Sequence, residues 1–189
     1  MGSIIEKREH SRQLLLETGL KLFSQKGYEA TSIRAIAKEA GVSLGLMYNY
    51  FASKEELLRE IFLSGQADIV ASFKADEQSA GVPGIERHVR SMVLLLKEKR
   101  EFWRLLHSLR MQSKIVAEMM DAIHQQVAYI QQMIGYNLKE IGHPDPEQEA
   151  LLLFATLDGM ASHYLVDPAY PIDDIATYLI QKYKSTNHG

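Results

Sequence analysis

A chain of 189 residues and 21.4 kDa, 46% hydrophobic and 24% charged, is long enough to bury a core without staples and too apolar to stay disordered. It has no cysteine, which excludes thiol catalysis, disulfides and thiolate zinc sites, and no apolar run reaches the roughly 18 residues of a membrane span. The net charge of −3 conceals a mild asymmetry: residues 1–63 carry nine Lys/Arg against eight Asp/Glu, the remainder twelve against sixteen, so the placement of the bases matters more than their number.

In chain order, Leu15, Leu16, Gly19, Leu22 and Phe23 follow helical spacing, and Gly27 stands where a helix ends in the left-handed conformation. Ile33, Ile36, Ala37 and Ala40 repeat at i, i+3, i+4 and i+7 until Gly41 stops them. A short helix is predicted from Leu44 to Phe51 with Ser43 as its N-cap. Ser53-Lys54-Glu55-Glu56 is a capping box that opens a long helix through Leu57, Leu58, Ile61 and Phe62.

Ala80-Gly81-Val82-Pro83-Gly84 reads as a break. Helical patterns follow at Ile85–Lys97, Phe102–Met111 and Ile115–Ile141, and Gly142 to Pro146 breaks the chain again. Glu147 to Val166 is apolar on nearly every side, which predicts a helix buried on more than one face. Ile172 to Tyr183 closes a series of about nine helices. No alternating segment is long enough to read as a strand, so the fold class is all-α.

The stretch Thr31 to Leu57 carries the functional signal. Two short helices joined by Ala40-Gly41-Val42-Ser43 have the form of a helix-turn-helix: Ala40 permits close approach, Gly41 takes positive φ, Val42 plugs the angle and Ser43 caps the second helix. Leu44 to Phe51 holds no charge, so electrostatic attraction to nucleic acid must come from flanking groups such as Arg8, Arg12, Arg34, Lys38 and Lys54, and from helix N-termini. A tyrosine hydroxyl at Tyr48 can donate to phosphate, Asn49 can pair bidentately with adenine, and Leu44 can meet a thymine methyl.

With Phe23, Gly27 and Tyr28 upstream, the string TSIRAIAKEAGVSLGLMYNYFASKEEL over residues 31–57 resembles the DNA-binding signature of the TetR family of transcriptional regulators. The resemblance covers the first third of the chain. It implies a three-helix DNA-binding domain over residues 1–55, joined to a helical-bundle effector-binding and dimerisation domain over 56–189. It also implies phosphate contacts by Tyr48 and Lys54, contacts by Thr31, Ser32 and Arg34 at the start of the second helix, and a reading helix capped by Ser43 that presents Leu44, Gly45, Leu46, Asn49 and Tyr50. Met47 and Phe51 are expected to pack inward. Leu46 departs from the common pattern, where many members carry a small or hydroxylic residue.

In the second domain, Trp103, His107 and Met111 fall along one helical face, and six of the eight methionines lie beyond residue 90. With Met120, His124, Tyr129, Phe154 and Asp158 they form the candidate pocket for a small apolar or aromatic effector, core packing being the competing reading of each residue. The family's dimers pair their last two helices, which here assigns Leu151–Tyr164 and Ile172–Tyr183 to a homodimer interface. Asp121-Ala-Ile-His124 and Glu140-Ile-Gly-His143 resemble the Glu-x-x-His pattern of helical bundles, but a di-iron site needs two further glutamates facing one another inside the bundle and His143 stands between Gly142 and Pro144 at a helix end, so no metal and no cofactor are expected. No nucleophile or phosphate-loop motif points to an enzyme. The sequence therefore reads as a cytoplasmic DNA-binding regulator: a homodimeric repressor on an inverted-repeat operator, released by its effector. The competing readings are an activator and a helical enzyme or ligand-binding protein that carries a helix-turn-helix.

Overall fold

Helical periodicity and well-placed caps dictate the local structure, and every regular element among the described residues (4–74, 81–109 and 117–185 of this computed structural model) is a helix. These are α1 (Ile4–Lys26), α2 (Ile33–Glu39), α3 (Leu44–Tyr50), α4 (Lys54–Lys74), α5 (Val82–Glu98), α6 (Arg100–Leu109), α7 (Ala117–Glu140), α8 (Pro146–Val166) and α9 (Ile172–Ser185). Gly27 and Gly41 both adopt positive φ, 87° and 69°, where a Cβ would be strained. Pro83 and Gly84, read from the sequence as part of a break, instead belong to the first turn of α5. The first turn tolerates proline because the N–H it lacks would have no intrahelical partner there.

The chain forms two compact units. One gathers α1, α2, α3, most of α4, and α6; the other holds α5, α8, α9 and nearly all of α7. In the first, Leu15, Leu16, Leu22 and Phe23 of α1 are buried with Ile36, Met47, Leu57, Leu58, Ile61 and Phe62. Burial of each large side chain contributes roughly 1.5–3 kcal/mol. Phe102 of α6 completes this core: its ring centroid lies 6.4 Å from that of Phe62, and Gly65 leaves room for the ring where any side chain would overlap it.

In the second unit, Ile85, Val89, Val93 and Leu96 form the buried stripe of α5, which packs against α9 and α8. Lys97–Asp173 and Lys184–Glu86 ion pairs, each with a 2.6 Å contact, span α5 and α9 at the surface. Arg90 also pairs with Glu86, and the two cations hold that carboxyl below its ordinary pKa. Tyr183 of α9 donates to Glu149 of α8 at 2.6 Å, and burial with this carboxylate raises the phenol's pKa. Helix α8 buries Ala150, Leu153, Leu157, Met160, Ala161 and Leu165 on its inner face. Its outer face leaves Leu151, Leu152 and Val166 exposed, and Tyr178 of α9 is exposed as well.

Candidate DNA-binding site

The reading helix is held by its ends and its inner face. Ser43 Oγ accepts from Leu46 N at 3.1 Å, and Ser32 Oγ caps α2 in the same way through Ala35 N at 3.2 Å. After α2, Val42 N donates to the Ala37 carbonyl at 3.0 Å, so the Gly41 turn is closed by backbone bonding as well as by conformation. Met47 and Phe51 are both buried, as their one-turn spacing predicts. That anchoring fixes the rotation of α3: Tyr48 and Asn49 face solvent, Leu46 and Tyr50 are half-buried, and Gly45 is exposed. Tyr48 retains 52% of its accessible surface.

The residues around α3 are tied down to different degrees. Arg34, Lys38 and Ser32 are exposed. Thr31 is buried, and its hydroxyl donates to the Gly27 carbonyl at 2.8 Å, so it holds the α1–α2 turn and has no surface to offer. Arg12 pairs with Glu60 and lies 5.9 Å from the centroid of the Phe51 ring, which leaves Arg8, exposed on α1, as the less constrained cation of that segment.

Lys54 belongs to a cluster that sequence spacing did not reveal. Its Nζ donates to the Tyr28 carbonyl at 3.0 Å and sits 4.1 Å from the Tyr28 ring centroid. The Tyr28 hydroxyl in turn donates to Glu55 at 3.0 Å. Burial, followed by the Glu55 hydrogen bond, pushes the Tyr28 phenol well above its ordinary pKa. Glu55 is held below the usual carboxylate range by its own backbone N–H and the Ser53 hydroxyl, with Tyr28 and Lys54 adding to the effect. An ammonium has three N–H donors, so a lysine locked in this way still has donors for a phosphate. Glu56 completes the capping box with a small shift of register: its N–H donates to Ser53 Oγ (3.2 Å), while its carboxylate accepts from Ala52 N (2.6 Å).

The candidate effector residues are spread over the molecule. Trp103 and His107 are half-buried on α6 in the first unit, with Trp103 edge-on to Phe102 at 5.8 Å. Phe154 and Asp158 are half-buried on α8, and His124 is exposed on α7. Met111 and the side chain of Met120 lie outside the described residues. Tyr129 lines a cleft between α5 and α7, together with Gly84, Arg87, His88, Ser91, Ile130, Met133 and Asn137. Of these seven only Met133, one of the methionines beyond residue 90, was picked out from the sequence, because nothing in the chain connects positions 84–91 with 129–137 before α5 and α7 pack.

A capped helix-turn-helix with an uncharged, outward-facing second helix defines a protein of the DNA-reading class. Residues 15–61 match the family described as bacterial regulatory proteins, tetR family, and residues 83–181 match the tetracyclin repressor-like C-terminal domain. The chain belongs to the TetR family of bacterial regulatory proteins. It is 54% identical over 50 residues to the HTH-type transcriptional regulator YuxN of Bacillus subtilis strain 168, a match covering 26% of this chain and 17% of that protein. It is 31% identical over 98 residues to the HTH-type regulator UidR of Escherichia coli K12, covering 52% of this chain and 49% of the relative. The chain thus spans half or less of the length of these relatives. Among solved structures, the fatty acid degradation regulator FadR of Bacillus halodurans aligns over 92% of this chain and 94% of its own, with a TM-score of 0.78 at 18% identity. FadR of Bacillus subtilis in complex with stearoyl-CoA aligns over 90% and 96%, with a TM-score of 0.76 at 16% identity. At these identities the likeness is one of fold. It extends over both units, and no helix among the described residues is long and apolar enough to cross a membrane.

Proposed function

We propose that this protein is a cytoplasmic, ligand-released transcriptional repressor that binds an inverted-repeat operator as a homodimer. The observation that carries the reading is α3 itself: Met47 and Phe51 lock its inner face while Tyr48 and Asn49 stand outward on a helix without charge. Such a helix gains little from the phosphate field, so its outer face is suited to reading base edges. Positioning falls to Tyr48, Lys54, Ser32 and Arg34, and sequence reading to Asn49 with Leu44, Gly45, Leu46 and Tyr50. The reading head occupies residues 1–55, and residues 56–189 bind the effector and form the dimer.

The outer face of α8 with Tyr178 of α9 supports a dimer. Leu152 is 56% exposed and Tyr178 71%, and apolar side chains grouped on two neighbouring helices indicate a protein interface. An apolar or aromatic effector suits the half-buried Phe154 of α8, and the Bacillus subtilis FadR structure in complex with stearoyl-CoA supports a ligand with an apolar portion. Effector binding shifts the dimer between two states that differ in affinity for DNA, and a coupling of about 1–3 kcal/mol is enough to control release.

The test is selection of bound sequences from random duplex DNA by the purified protein. An inverted repeat with half-site centres near a whole number of helical turns is expected. Recovery of only unpaired or direct-repeat motifs refutes the two-fold reading.

A further inference from the structure

The α1–α2 turn is tied to the start of α4 through a single residue. Gly27, at positive φ, follows α1, and its carbonyl accepts from the Thr31 hydroxyl at 2.8 Å. The next carbonyl, that of Tyr28, accepts twice: from Thr31 N at 3.2 Å and from Lys54 Nζ at 3.0 Å. The Tyr28 side chain is fixed at both ends. Its ring is 1% exposed and packs on Phe23, with centroids 5.1 Å apart, and its hydroxyl donates to Glu55 at 3.0 Å. Core packing accounts for the buried ring but not for the ammonium above it. Lys54 Nζ stands over the ring, 4.1 Å from its centroid, within the range of a cation–π attraction.

The chemistry of this hold differs from that of the other tethered cations in the same unit. Arg12 and Lys21 are paired with the carboxylates of Glu60 and Glu39, which cancel much of their charge. Lys54 is held by a carbonyl and a ring face, both neutral, so its charge is preserved. The nearest carboxylate in sequence, Glu55, is engaged by the Tyr28 hydroxyl, by its own N–H and by Ser53, and consecutive residues on a helix do not face each other. A lysine free on a surface explores many rotamers, and fixing it on a phosphate costs entropy at the moment of binding. Here the ring face and the carbonyl restrict it before DNA arrives. The carbonyl takes one of its three N–H donors.

We infer that Tyr28 is a positioning residue for DNA binding that acts through Lys54: its carbonyl and ring face hold the ammonium, with its charge intact, where a phosphate oxygen takes the donors left over. The inference rests on reading Lys54 as a phosphate contact and names the residue that directs it.

The test is anisotropy of the labelled duplex recovered by selection, titrated with the full-length protein across a salt series. Tyr28→Phe keeps the ring and the carbonyl and serves as the reference. Trifluorination of that phenyl ring changes its shape little but withdraws the charge that attracts a cation. The fluorinated protein is expected to bind at least threefold more weakly than the reference, and the difference should vanish when Lys54→Ala is added to both. Lys54→Ala alone should weaken binding and lower the salt dependence by about one phosphate contact. A ring that serves only packing predicts equal affinities for the two proteins, and that result overturns the inference, as does a fluorine effect that persists without Lys54. In the unaltered protein without DNA, nuclear magnetic resonance should find the Lys54 ε-methylene protons shifted upfield by the ring current. Ordinary lysine shifts there overturn the inference even if the fluorinated chain fails to fold. Failure to bind any duplex refutes the regulator reading and this inference together, whereas operator binding that responds to Lys54→Ala but not to fluorination refutes the inference alone.

Discussion

His88 should make stability fall with acidity in a way that a single substitution can isolate. In the unfolded chain a histidine titrates near 6.5, whereas in the fold its pKa is pushed down to about 4. The folded-state value is depressed, so the contribution of the neutral imidazole is fully present above pH 6.5. It is lost as pH falls from about 6.5 to 4, the window in which the unfolded chain binds a proton and the folded one does not. Linkage gives a loss of about 1.4 kcal/mol by pH 5.5 and about 2.5 kcal/mol by pH 4.5. The depressed carboxylates Glu39, Glu55 and Glu86 also lose stabilisation as pH falls, but only below their ordinary range near 4.5. They are common to both proteins in the comparison, so the difference between wild type and His88→Gln isolates the imidazole. Thermal melts at fixed protein concentration, from pH 7.5 to 4.5, are the assay. Wild type should lose stability faster than His88→Gln, with each kcal/mol worth roughly 2–4 °C in a chain of this length. Parallel curves across the window would refute the argument that the cleft holds His88 neutral.

Three further outcomes are expected. Asn49→Ala should cost on the order of 1–3 kcal/mol on the preferred operator and little on unrelated duplex, whereas Tyr48→Phe should weaken binding to all sequences alike; anisotropy on both DNAs checks this. Met47→Ala should lower stability by about 2–5 kcal/mol and abolish DNA binding, because the fully buried thioether sets the rotation of α3; chemical denaturation with an operator-binding assay reads both effects. Leu152→Asp, at an exposed position on α8, should yield a folded monomer in sedimentation analysis with weakened operator affinity, and an unchanged dimer would place the interface elsewhere.

What was legible in the sequence was local chemistry. Gly41 and Ser43 specify a turn and a cap within four residues of each other, and the capping box at Ser53 needs only Glu56; no distant contact is required to read them. The inward packing of Met47 and Phe51 was likewise contained in a one-turn spacing. The start of α5 was misread because Pro83 and Gly84 are breakers inside a helix but admissible in its first turn. The Tyr28–Lys54–Glu55 cluster and the Gly84–Asn137 approach were invisible for another reason: their partners stand 26 and 53 residues apart, and only packing pairs them. Polarity at Asn137 gives no sign, in one dimension, that it will end up 4% exposed.

The position of Phe102 bears on how the protein is made. The core beneath the reading head draws on a ring that leaves the ribosome some forty residues after Phe62, its neighbour in that core. Loop-closure entropy must be met before this contact forms, so the first helices wait, part of their apolar surface uncovered, until α6 has been synthesised. A nascent chain stalled before residue 102 would present Ile61 and Phe62 as targets for chaperones and proteases. Such a chain would be open to cleavage before the core of the first unit is complete.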